Sequence, residues 1–81
     1  MHLDVVFFGS LTDHVPPEIR GIAVPDGTTV AGLAALLVEI HPALGGRLDH
    51  VAVAVNRSYA STSTVLGSGD EVAFLPPVSG G

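Results

Sequence analysis

The chain has 81 residues, 47% of them hydrophobic and 14% charged, which is room for one small domain with a real core and excludes both a second domain and global disorder. It contains no cysteine, which excludes disulfides, thiolate metal sites and a cysteine nucleophile. A net charge of -5 with three arginines, Arg20, Arg47 and Arg57, and no lysine leaves no cationic cluster to displace phosphate counterions, so nucleic acid is not an expected partner, and a basic protein surface is the better electrostatic complement.

Leu3 to Phe8 is a dense apolar run containing Val5, Val6, Phe7 and Phe8, and it reads as a central strand buried on both faces. Gly9 and Ser10 break it, and Leu11 to Val15 fits one short helical turn before Pro16-Pro17. Glu18 to Val24 alternates well enough for a second strand, weakened at Gly21. Pro25-Asp26-Gly27 is a turn. Thr28 or Thr29 then offers a capping hydroxyl to a helix from about residue 29 to 41, whose apolar stripe is Val30, Leu33, Ala34, Leu37 and Ile40. Pro42 ends that helix, and Gly45-Gly46 opens a loop toward a third strand at Val51 to Val55. Asn56-Arg57 marks a tight turn, Tyr59-Ala60 a short return strand, and Thr64 to Leu66 reads equally as loop or helical turn. Gly67-Ser68-Gly69-Asp70 turns the chain into a last strand, Glu71 to Leu75. One helix across one face of a mixed sheet is an α+β pattern, with the first and last strands as the parallel central pair. So little charge also leaves apolar surface outside the core, which points to a standing partner.

After that last strand come Pro76-Pro77-Val78-Ser79-Gly80-Gly81. The prolines fix φ and favour an extended path, and the six residues span roughly 20 Å at about 3.3 Å each. Glycine has no Cβ, so a closing glycine pair threads a channel too narrow for other residues and presents its carboxylate to a buried site. Two other constellations carry no chemistry. His2, His14, His41 and His50 have no metal-ligand spacing, and Asp70-Glu71, adjacent on a strand, face opposite ways and serve the turn.

The run Gly69-Asp70-Glu71-Val72-Ala73-Phe74-Leu75-Pro76-Pro77-Val78-Ser79-Gly80-Gly81 resembles the sulfur-carrying small subunits of molybdopterin synthase, members of the ubiquitin-like family, and Val5 to Phe8, Val53 to Asn56 and the length agree. The resemblance implies a β-grasp, with a mixed sheet, one main helix packed on one face and a flexible C-terminal Gly-Gly tail. Residues 1–75 would be the domain and residues 76–81 the tail. It implies a carrier subunit of a sulfurtransferase complex, binding no cofactor and no metal itself, with the active site on the large subunit. An E1-like adenylyltransferase would use ATP to adenylate Gly81, a sulfur donor protein would leave a thiocarboxylate there, and Gly80 would be the slender neck. Phe74, Leu75, Pro76, Pro77, Val78, Ser79 and Tyr59 would meet the partner, and many family members carry an aromatic where this chain has Leu75. A heterotetramer with the large subunit completes the implied picture; the sequence itself, with no charged leader before an apolar run and no apolar stretch near the length of a membrane span, points to the cytoplasm and to no membrane contact. The alternatives are a sulfur carrier for thiamine, cysteine or tRNA thiolation, or a ubiquitin-like protein modifier.

Overall fold

The computed structural model describes residues 1–77; the expectations for Val78, Ser79, Gly80 and Gly81 lie outside the described residues. Five strands, β1 (His2–Phe7), β2 (Glu18–Ala23), β3 (Ala52–Val55), β4 (Ser58–Ala60) and β5 (Glu71–Leu75), form one sheet in the order β2-β1-β5-β3-β4. Helix α1 (Val30–Ile40) and two short 3-10 turns, Gly9–Asp13 and Pro42–Leu44, complete the domain. β1 and β5 run parallel, with Val5 opposite Val72 and Phe7 opposite Phe74, while β2 and β3 join them antiparallel. This is the α+β, β-grasp arrangement expected from the sequence.

The core is a single layer between the sheet and α1. Leu3, Val5 and Phe7 from β1 and Val72 and Phe74 from β5 meet Val30, Leu33 and Leu37 from α1, all buried. The Phe7 and Phe74 rings stack with centroids 5.7 Å apart at 18°, within the range in which aromatic pairs add to simple burial. Two expectations need correction here. β1 is buried on one face only: Asp4 and Val6 are half-buried, and Phe8, just past the strand, is 47% exposed. The continuous apolar run reflects two faces with different fates, one under the helix and one open. Ile40 belongs to the helical stripe by angle but stays 51% exposed, because the chain turns there and fully buried Leu44 occupies the core in its place.

Local chemistry explains the element ends. Thr29 is the N-cap of α1, its hydroxyl accepting from the Gly32 N–H at 3.1 Å, while Thr28 bonds back to the Pro25 carbonyl. Two further first-turn donors, the N–H groups of Val30 and Ala31, reach the carbonyls of Thr64 (3.0 Å) and Thr62 (2.9 Å). Residues 61–66 are therefore an irregular strap bonded to the start of the helix, pinned by buried Leu66. Asn56 and Arg57 both have positive φ, 49° and 70°, the geometry of a two-residue hairpin turn between β3 and β4. The Asn56 side chain accepts from the Glu71 N–H (3.0 Å) and donates to Asp70 (2.9 Å), and Asp70 also accepts from the Gly67 N–H (2.7 Å). That network ties the hairpin to the entrance of β5. On the edge strand β2 a bulge at Arg20-Gly21 sets two residues against Asp4, whose carboxylate takes the Gly21 N–H at 2.9 Å. Such a bulge twists an edge away from pairing with another chain.

Candidate functional site

β5 is the middle strand of the sheet and the last element before the tail, so the tail leaves from the centre of the domain. Along β5 the side-chain period of two sends Val72 and Phe74 into the core and Glu71, Ala73 and Leu75 to the opposite, outer face. Phe74, expected among the partner-contacting residues, is 1% exposed and stacked on Phe7; the structure places it in the core and not on an accessible surface. Leu75 is half-buried on the outer face.

Register builds the rest of that face. Val6 lies opposite Ala73, Ala73 opposite Ala54, and Ala54 opposite Tyr59, a row across four strands. The two alanines form a low floor, and Phe8, Leu75, Val6 and Tyr59 rise around it, enclosing an open trough of about 520 Å³. Tyr59 is 81% exposed. Glu18, Glu71 and Arg57 stand in the same lining and give it a mixed, mainly acidic rim. Arg20 lies next to this rim but is already engaged. Its guanidinium makes two hydrogen bonds to Glu18, at 2.8 and 3.1 Å, and that hydrogen bonding, followed by the charge of Glu18, raises the arginine further above its ordinary value. An apolar floor with a polar rim has the anatomy of a protein interface.

The root of the tail is set by a close approach. Gly9 has φ +57°, and a Cβ on it would stand 3.0 Å from Cγ of Pro76 and 3.7 Å from Cδ. The proline ring therefore rests directly against the backbone of the first loop. Backbone pairing backs this up, since the Phe8 N–H donates to the Phe74 carbonyl at 3.1 Å. A second cleft, about 310 Å³, opens at the same root, with Leu11, His14, Arg47 and His50 facing Pro76 and Pro77.

The site residues expected from sequence thus divide three ways. Leu75 and Tyr59 come together on the outer face; Pro76 and Pro77 stand at the root; Phe74 is in the core. Val78, Ser79, Gly80 and Gly81 lie outside the described residues. The sequence pattern alone does not single out Val6, Phe8, Ala54 and Ala73 as parts of an outer face, and it marks Gly9 only as a strand breaker. The signal for Phe8 was present: with a helix on one side, every second residue of an all-apolar strand must face the other. Nothing in the sequence announces the Gly9–Pro76 contact, which depends on the parallel pairing of two strands far apart in the chain. Among the described residues no group of three or more His, Asp or Glu is placed to hold a metal ion, and no helix is long and apolar enough to cross a membrane.

Comparison with known proteins bears on what such a site does. The profile of the ThiS family matches residues 5–81. The chain is 42% identical, over 98% of its own length and 96% of the relative's, to the molybdopterin synthase sulfur carrier subunit of Mycobacterium tuberculosis. The crystal structure of SAMP1 from Haloferax volcanii, a small archaeal modifier protein, matches with a TM-score of 0.89 and 31% identity over all of both chains. In a structure of the complex of subunits 1 and 2 of the molybdopterin-converting factor from Helicobacter pylori, the matching chain gives a TM-score of 0.70 at 29% identity, again covering both chains fully.

Proposed function

The chain belongs to the ThiS family, and from that premise we propose that it is the sulfur carrier subunit of a molybdopterin synthase, working through the carboxylate of Gly81. The observation that carries this reading is where the tail begins: Pro76 directly follows the central strand of the sheet and is seated on Gly9, and the sequence beyond Pro77 closes on a glycine pair. The likeness to a sulfur carrier subunit at 42% identity over nearly the whole chain supports it.

The chemistry follows from the poor leaving ability of a carboxylate oxygen. In the reading proposed here, an E1-like adenylyltransferase directs the Gly81 carboxylate at the α-phosphorus of ATP; pyrophosphate leaves and an acyl adenylate forms. A sulfur donor protein then supplies sulfur at the sulfide level, whose lone pair forms the new C–S bond at the acyl carbon, and AMP departs with the electron pair of the C–O bond. Splitting one difficult substitution into two easier ones is the gain. The product is a thiocarboxylate on a glycine pair without side chains, and the large subunit of the synthase receives it to sulfurate a cyclic pterin phosphate. This chain's own work is to hold, aim and address the tail; ATP serves the activating enzyme, and the domain itself binds no cofactor. The trough around Ala54 and Ala73 is the address, an apolar seat for that large subunit, with Tyr59 and Leu75 among its contacts and one copy of each partner on either side of a heterotetramer.

One observation favours a second reading. The likeness to small archaeal modifier protein 1, 37% identical over 91% of this chain, fits attachment of Gly81 to lysines of other proteins. Intact-mass measurement of the protein isolated from its host separates the two. A carrier gains the mass difference of sulfur for oxygen at its terminus, whereas a modifier appears in a ladder of larger conjugates. Deleting Gly81 abolishes sulfur transfer and leaves thermal stability nearly unchanged; pterin sulfuration by the truncated chain overturns the mechanism.

A further inference from the structure

The cleft at the tail root differs in charge from the rest of the molecule. Arg20 is paired with Glu18, and Arg57 stands in the outer trough beside Glu18 and Glu71. That leaves Arg47, with His14 and His50, in a cleft that, among the described residues, is lined by no carboxylate, in a chain whose net charge is -5. The acids next to them in sequence do not line it: Asp49 faces the neighbouring groove beside α1, and Asp13 is exposed outside both. The Nε of Arg47 donates to the Ala43 carbonyl at 3.0 Å, which orients the guanidinium, and among the described residues its terminal nitrogens have no partner. An oriented guanidinium whose two terminal nitrogens carry four N–H donors is matched to a carboxylate, which it grips through two parallel hydrogen bonds.

Resting on the carrier reading above, we propose that this cleft docks an acidic segment of the activating enzyme, an aspartate- or glutamate-bearing lip of the channel that receives the tail. Any protein that takes the tail must pass its root, and the activating enzyme is the first to do so. The anion belongs to protein and not to the nucleotide, because the reacting carboxyl is four residues beyond Pro77, up to about 13 Å away along an extended chain. The two flanks of the tail then present unlike surfaces, an apolar trough with a mainly acidic rim and a cationic cleft, and a partner can seat the tail in only one orientation.

The test is ATP–pyrophosphate exchange by the E1-like adenylyltransferase of the same host, with this chain as the varied substrate. Arg47→Glu raises the KM for the chain by about tenfold or more without changing the KM for ATP, and the rise shrinks as salt is added, because exposed charge pairs are screened. Arg47→Lys, which keeps the charge, retains most of the affinity. Ser63→Glu adds a negative charge on the exposed strap, outside both the trough and the cleft, and leaves the KM for the chain near that of the wild type. An unaltered KM for the Arg47→Glu chain, or a rise in the KM for ATP alone, overturns the proposal. No exchange with the wild-type chain refutes the carrier reading itself, and the inference with it.

Discussion

Replacing Gly9 by alanine tests how the tail is aimed. Two costs add at this position. An L-residue held at φ +57° is strained by about 1–2 kcal/mol, partly offset by about 0.4–1 kcal/mol because alanine narrows the unfolded ensemble. The new methyl would also stand 3.0 Å from Cγ of Pro76, against the 3.5–4.0 Å at which carbon pairs rest, and a proline ring cannot swing aside as a long side chain would. Crowding of this kind costs about 1–3 kcal/mol or moves the neighbour by a few tenths of an ångström. Gly27 separates the two costs, because its φ is +83° and nothing lies within 4 Å of its Cβ position. Urea unfolding gives a loss of about 1 kcal/mol for Gly27→Ala and about 2–3 kcal/mol for Gly9→Ala, the second being roughly a 10–20 °C drop in melting temperature for a domain of this size. Adding Pro76→Ala to Gly9→Ala recovers the difference, as a coupling energy in a double-mutant cycle. Equal losses at Gly9 and Gly27, with no coupling to Pro76, would falsify the contact as the device that seats the tail.

Leu37→Ala removes a fully buried side chain from the middle of the helix–sheet layer and costs about 2–5 kcal/mol, most of the margin of a domain this small; a melting curve checks it, and a loss under 1 kcal/mol shows the layer is not packed as described. Phe8→Ser acts in the opposite way: the ring is half exposed on the outer face, so the melting temperature moves little while affinity for the large subunit, read by calorimetry, falls about tenfold or more. Unchanged affinity there removes the trough from the interface.

Much of the architecture was legible because local and global signals agreed. The prolines and glycines cut the chain at the observed turns, Thr29 capped the helix as its hydroxyl suggested, and the apolar first and last strands do pair in parallel. What escaped was decided by tertiary placement. A run such as Val5-Val6-Phe7-Phe8 states that both faces are apolar and is silent on which one the helix covers. Thr64 to Leu66 has no period of its own because its partners are the orphan donors of a helix more than thirty residues earlier. Leu44 looks like a loop residue beside Pro42 and Gly45-Gly46, yet the 3-10 turn delivers it to the core. At the site, Phe74 and Leu75 required the strand register to tell inside from outside. The cleft around Arg47 assembles from three separate segments and no single stretch of sequence foretells it.

The strand that closes the sheet is also its middle one, held by β1 on one side and β3 on the other. A nascent polypeptide of this kind cannot mature piecemeal from its beginning, because its first and third strands have nothing between them until the last stretch leaves the ribosome. Synthesis interrupted before β5 is complete therefore yields an open, incomplete sheet. Any partner that requires a completed outer face before it admits the tail thereby checks, in one encounter, that translation has passed the last strand.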